Sequence, residues 1–310
     1  MALDDARGNL RERFLTLRSF PSFAGVDDEG ITMLAEHAIQ RGYPRGALLS
    51  PADRPLDRVW IIRQGRVAMR EHGVRLAEVG RPWGAGFMSV LAEEVDGIEV
   101  EALEDTLALE LPAAGLFGSY LENGSFVRQG LRNLARGILS SRQSLPVDAD
   151  YELPELGPYR EERLTMVQRV LRMRADSPVF RALDFDALFN LASRIHEERI
   201  PAGTVLWRAG EPTEFALRIH WGQVDCTAPD GRTARVGAPF TLGGLDQMAS
   251  RPRAYAAVAR TDLWAQRTLG GLFFSVIEST PRSGLPLLRL LAKQRLAYNR
   301  AVAVRRHASE

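Results

Sequence analysis

Cysteine and lysine are almost absent from this 310-residue chain. The single Cys226 excludes an intrachain disulfide and any multi-thiolate zinc or iron–sulfur site built by one chain, and it fits a reducing compartment. Lys293 is the only lysine among forty basic residues, so the cationic chemistry is arginine, as GC-rich coding or bidentate anion contacts would give. No sign of charge dominates either. Forty basic against thirty-nine acidic residues leave a formal net charge of +1, which favours no nucleic-acid, membrane or acidic partner. No run approaches the ~18 apolar residues of a membrane span, and the first twenty residues do not read as a secretory signal. A soluble cytoplasmic protein is expected. GxSxG, P-loop, GxGxxG and HExxH patterns are missing, and the five histidines, His37, His72, His196, His220 and His307, are scattered. The sequence therefore offers no catalytic residues and no metal site. Cys226 reads as a small buried apolar residue, and His220 as a turn or core histidine.

What is present is a duplication. One constant offset, 157, aligns most of the first half with the second. Pro44, Gly46 and Leu49 fall on Pro201, Gly203 and Leu206, and Gly65 and Val67 on Gly222 and Val224. Val79-Gly80 and Pro82 fall on Val236-Gly237 and Pro239, Gly86 on Gly243, and Asp105 on Asp262. The unit is far longer than a solenoid repeat, so a whole domain is written twice. Each copy opens with a helical stretch (28–38 and 185–195). Short strands follow, in the first copy at 40–43, 47–50, 59–63, 66–70, 75–79, 99–103 and 107–111, separated by Gly, Pro and Asp. Helices close each copy, at 113–121 and 126–142 in the first and at 269–278 and 285–305 in the second. The fold class expected is mainly β with flanking helices, two domains (1–146 and 159–310) joined by a Pro-rich acidic linker at 147–158.

The segments YPRGALLSPADRPLDRVWIIRQGRV and IPAGTVLWRAGEPTEFALRIHWGQV resemble the opening of a cyclic nucleotide-binding domain. That resemblance implies two tandem double-stranded β-helix jelly rolls. It also implies a phosphate-binding cassette: a short helix preceded by Gly-Glu and followed by an Arg beside small residues. In the second copy the stretch from Leu242 to Ala254 is similar to that cassette without a gap. There Gly243, Gly244, Leu245, Arg253, Ala254 and Tyr255 are the implied ligand-binding residues, with Arg253 at the phosphate position. Two departures stand out: Gly244 replaces the glutamate that would take the ribose hydroxyl, and bulky Tyr255 follows Arg253-Ala254. In the first copy the same register sets Gly86, then Phe87 at the glutamate position and Asp96 at the arginine position. A carboxylate there repels a phosphate, so that pocket is expected to be silent.

The last helix carries a stripe of Leu287, Leu290, Leu291, Ala297, Tyr298, Ala301 and Val304. It reads as packing on its own roll, as a homodimer seam, or as a lid over the second pocket on which Tyr298 stacks on a base. No DNA-binding helix-turn-helix follows it, and Arg7, Arg11 and Arg13 near the N-terminus form no kinase-inhibitor segment. Layout is thus similar to the regulatory subunits of cyclic-AMP-dependent kinase. The expectation is a non-enzymatic signalling protein that acts through an unknown protein partner. Its second domain would sense a cyclic mononucleotide or dinucleotide, with no other cofactor. The alternative is a ligand-free scaffold whose pockets are plugged by Phe87 and Tyr255, with Arg253 paired to an internal carboxylate such as Asp246.

Overall fold

The computed structural model describes residues 9–71, 73–141, 145–147, 151–159 and 164–307, with backbone only for 302–307; Arg7 and His72 lie outside the described residues. The first copy runs α1 (Leu10–Arg18), a 3-10 turn (Pro21–Phe23), α2 (Asp28–His37), β1 (Ile39–Tyr43), β2 (Leu48–Ser50), β3 (Arg58–Gln64), β4 (Arg66–Glu71), β5 (Val74–Gly80) and β6 (Trp83–Ala85). It continues through α3 (Phe87–Ala92), β7 (Ile98–Ala102), β8 (Thr106–Pro112), α4 (Ala113–Glu122) and α5 (Gly124–Ser141). The second copy has α6 (Met166–Asp176), α7 (Pro178–Ala182), α8 (Phe185–Arg194), β9 (His196–Ile200), β10 (Val205–Trp207), β11 (Phe215–Trp221), β12 (Gln223–Thr227), β13 (Thr233–Gly237) and β14 (Phe240–Leu242). It ends in α9 (Gly244–Ala249), β15 (Ala256–Ala259), β16 (Leu263–Leu269), α10 (Gly270–Ser279) and α11 (Pro281–His307).

Strand order is the jelly roll, drawn twice. The first copy pairs β1-β8-β3-β6 and β2-β7-β4-β5; the second pairs β9-β16-β11-β14 and β10-β15-β12-β13, all antiparallel where registered. The expected fold class is what the chain adopts. One sheet of each roll is covered on both faces, so its central strands are buried on both. In β3, Trp60 and Ile62 point into the roll while Val59 and Ile61 are buried on the other face. In β11, Leu217 and Ile219 enter the roll while Arg218 turns out to Asp176 and to the Met173 carbonyl of α6.

The repeat extends to individual hydrogen bonds. Asp27 and Asp184 cap α2 and α8 by accepting from the backbone N–H of Gly30 and Ala187, each at 2.8 Å. Asp105 and Asp262 accept from the N–H of Arg45 and Ala202 at 3.0 and 2.8 Å. Cys226 lies wholly buried in the second roll, and burial pushes its thiol up to about 12.

Two differences from the sequence expectation concern boundaries. The compact units are Met1–Gly130 with Leu288–Glu310 (unit 1) and Leu131–Leu287 (unit 2), so they cut across the expected domains within both closing helices. The described part of the expected linker is not a loose spacer. Leu145, Val147 and Tyr151 pack on the unit 2 core, the Trp221 indole donates to the Gly157 carbonyl at 2.7 Å, and Tyr159 meets Trp221 edge-on at 5.3 Å. Its aromatic and apolar residues give it a surface to bury, which its Pro-rich acidic composition obscures.

Two glycines of unit 2 separate strain from crowding. Gly203 has φ +81° with nothing within 4 Å of a Cβ, whereas Gly222 has φ +105° and a Cβ there would meet the Asp262 carbonyl and Leu263. Gly203→Ala should cost roughly 1–2 kcal/mol, the penalty of a left-handed L-residue. Gly222→Ala should cost roughly 2–5 kcal/mol because overpacking is added. Urea unfolding of the two variants checks this; equal losses would contradict it.

Candidate functional site

In unit 2, β14 hands the chain to Gly243 at φ +74°, which caps the short α9; Ser250 ends that helix at φ +50°, and the chain returns through Arg251-Pro252-Arg253 into β15. This is the stretch, Leu242 to Ala254, in which the cassette was expected. Arg253 is 3% exposed. Its guanidinium lies 3.8 Å above the Trp207 ring centroid and 5.1 Å from that of Phe215, and its Nη2 donates to the Phe215 carbonyl at 2.5 Å. Its Nε and Nη1 are buried without a hydrogen-bond partner. Burial lowers its pKa, opposed by Tyr255, Asp246 and Glu211, yet a guanidinium stays charged at any working pH. The backbone fixes its position, since Arg253 N–H donates to the Glu211 carbonyl and Gly210 N–H donates to the Arg253 carbonyl, both at 2.9 Å.

A cavity of about 410 Å³ adjoins the cassette. Gly243, Gly244, Leu245, Asp246, Ala254 and Tyr255 line one side; Leu139 of α5 with Leu145 and Pro146 lines another. Arg253 does not line it. Gly243 borders the cavity, and a Cβ on it would collide with Arg253 Nη1, so that nitrogen packs directly against the Gly243 backbone. Gly244, where a glutamate was the family expectation, contributes no carboxylate. Tyr255 is 3% exposed, belongs to the roll core and sits 6.0 Å from Trp207, so it does fill the interior.

Tyr298, the expected lid residue, belongs to the stretch counted with unit 1.

Unit 1 repeats the frame with opposite electrostatics. Gly86, at φ +86°, caps α3, and a Cβ there would lie 3.0 Å from the Arg58 carbonyl and 3.4 Å from Trp60. Phe87 is not a plug. It stacks on Phe20 at 6.0 Å and meets Phe23 edge-on at 5.9 Å, joining the aromatic cluster at the N-terminal helices instead of the roll interior. Asp96 accepts from the Ile98 N–H at 3.1 Å; burial raises its pKa, while that bond and the charge of Arg300 lower it. A cation distant in sequence thus faces it, which the local stretch 92–96 does not reveal.

Sequence reasoning missed three features. Glu110, 2% exposed, is bound by Arg58 at 2.9 Å and Arg41 at 3.4 Å and accepts from the Tyr43 hydroxyl. Burial first and Glu110 second push that hydroxyl up to about 12. A charged residue inside the apolar strand 107–111 was the available signal. The offset maps Glu110 on Arg267, which lies 4.0 Å from the Phe215 ring and pairs with Glu198 at 2.7 Å. The shelf of Trp207 and Phe215 under Arg253 had no sequence signal, since the two aromatics come from β10 and β11.

Element order and strand order agree in both units. In fold, the chain is a tandem of antiparallel jelly rolls with flanking helices. No family model matches it. It is 26% identical over 117 residues, 37% of its length, to proteins of Mycobacterium bovis and Mycobacterium tuberculosis named uncharacterized NTE family proteins, and the match spans 20% of those relatives. Among solved structures it is similar to a regulatory subunit of a cAMP-independent protein kinase A from Trypanosoma brucei, bound to cAMP in its A site: 13% identity, 98% of this chain and 97% of that one, TM-score 0.36. It is also similar to the N-terminal domain of a transcriptional regulator from Streptomyces coelicolor: 27% identity, 42% of this chain and 94% of that one, TM-score 0.38. At these TM-scores the likenesses carry no argument about the site. Among the described residues no helix is long and apolar enough to cross a membrane.

His220, near the end of β11, lies 5.2 Å from Trp264 with both ring nitrogens buried and unbonded. Burial first and the Arg218 charge second push its pKa from 6.5 to about 4. The unfolded chain therefore binds a proton that the folded one refuses, and this contribution to stability is full above pH 6.5 and lost as pH falls toward 4. The loss should reach roughly 3 kcal/mol. Denaturant titrations across that window should show a shallower pH slope for His220→Phe than for the native chain; identical slopes would contradict the assignment.

Proposed function

We propose that the protein is a non-enzymatic cytoplasmic regulator whose unit 2 binds a small anion of the cyclic nucleotide class beside its cassette, and whose unit 1 is silent. The observation that supports this reading is Arg253: a guanidinium 3% exposed, with Nε and Nη1 unpartnered, whose Nη1 packs against Gly243 at the edge of a cavity of about 410 Å³. Leaving buried donors unsatisfied costs about 1–3 kcal/mol each, so an anion that reached them would recover more than an exposed contact gives. Gly244 in place of a carboxylate weakens ribose recognition by ~1–3 kcal/mol, one to two decades of affinity. Binding should therefore be modest, and selective for the phosphate more than the sugar.

A specific observation favours a second reading, a ligand-free scaffold acting through protein contacts. The guanidinium already rests on Trp207 and donates to the Phe215 carbonyl, so the fold holds it without a ligand. Calorimetry with cyclic AMP, cyclic GMP and cyclic dinucleotides separates the two. The sensor predicts saturable heat with at least one of them, weakened about tenfold to a hundredfold by Arg253→Ala. No heat at millimolar ligand, or binding indifferent to Arg253→Ala, leaves the scaffold.

A further inference from the structure

The closing helices α5 and α11 are repeat equivalents, and each ends in a different compact unit from the one in which it starts. α5 begins in unit 1 and from Leu131 belongs to unit 2; α11 begins in unit 2 and from Leu288 belongs to unit 1. Within unit 2, Arg132 Nε donates to Ser250 Oγ at 3.1 Å, its guanidinium lies 5.4 Å from the Phe274 ring, and Arg136 Nε donates to the Ala249 carbonyl at 2.9 Å. Within unit 1, Arg289 Nη2 donates to Glu93 at 2.5 Å and its guanidinium lies 5.2 Å from the Phe117 ring. Lys293 Nζ stands 3.9 Å from Glu94, and Arg300 Nη2 donates to Glu94 and to the Val95 carbonyl at 3.2 and 2.7 Å.

The offset of 157 maps Arg132 on Arg289, Arg136 on Lys293, Phe117 on Phe274 and Glu93 on Ser250. One clasp is therefore made twice, each time on the residue that ends the cassette helix, and in both units that residue is a non-glycine held at positive φ, +56° at Glu93 and +50° at Ser250. A conformation that costs an L-residue about 1–2 kcal/mol needs a contact to hold it, and the arginine supplies one.

We propose that the two copies are exchanged. The far half of each copy's closing helix completes the cassette of the other copy, and the arginine clasp fixes the end of that cassette. The order of the cassette in one copy is thus set by residues encoded in the other. This goes beyond the ligand reading and does not depend on it. Hydrogen exchange of the full chain, without nucleotide, tests it. Arg132→Ala should speed exchange in Gly244–Ala249 about fivefold or more and leave Phe87–Ala92 unchanged; Arg289→Ala should do the reverse. Arg132→Lys and Arg289→Lys, which keep the charge but lose the planar fork, give the same crosswise test if an alanine variant unfolds its unit. Faster exchange in the substituted residue's own copy, in both cassettes alike, or in neither, overturns the proposal.

Discussion

A buried guanidinium needs somewhere to put its charge, and in unit 2 that need organises the interior. The planar face of Arg253 takes the Trp207 ring and its edge takes the Phe215 carbonyl, so β10, β11 and the approach to β15 must converge on one residue. Gly243 cannot carry a side chain because Nη1 occupies the space, and Tyr255, one turn of strand onward, closes the shelf from inside the roll. None of these residues contacts the others by virtue of sequence spacing. The cation brings them into one cluster.

The first copy shows the same scaffold with that constraint lifted. Where the second has Arg253, the first has Asp96, turned to its own backbone at Ile98. Where the second has Phe215 and Arg267, the first has Arg58 and Glu110, bound to each other at 2.9 Å. Each roll therefore buries charge near its cassette, but in the first the carboxylate lies inside and is answered by protein cations. An anion entering there would compete with Glu110 for Arg58 and Arg41. Duplication kept the frame and reversed the sign.

Much of the fold was legible because its determinants are local. Caps at Asp27 and Asp184, turn glycines at positive φ such as Gly65 and Gly222, and the Asp105 and Asp262 turns are written in adjacent residues, so a single offset recovers them. The short helix between Gly243 and Ser250 was legible for the same reason. What escaped was tertiary. Phe87 looked like a plug in linear register, but the Phe20 and Phe23 rings offered it a larger apolar surface outside the roll. The acidic linker hid Tyr151, whose ring packs on Phe240; Tyr159, just after the linker, packs on Trp221.

The boundary between copies and units has a physical trace in the helices themselves. α5 carries Gly130 immediately before the residue at which it passes into unit 2, and α11 carries Pro286 two residues before it passes into unit 1. Both residues weaken a helix, glycine by entropy and proline by the lost N–H, so neither is favoured at a mid-helix position without a reason. For Gly130 the reason is contact: a Cβ there would come within 2.8 Å of Leu288 and 2.9 Å of Tyr120. Leu288 is also the first α11 residue counted with unit 1, so the close approach that excludes a side chain at position 130 is what brings the second copy's helix into the first copy's core. Tyr120 of the first copy and Leu288 of the second both press on that glycine, so each copy contributes to the contact that excludes a side chain there.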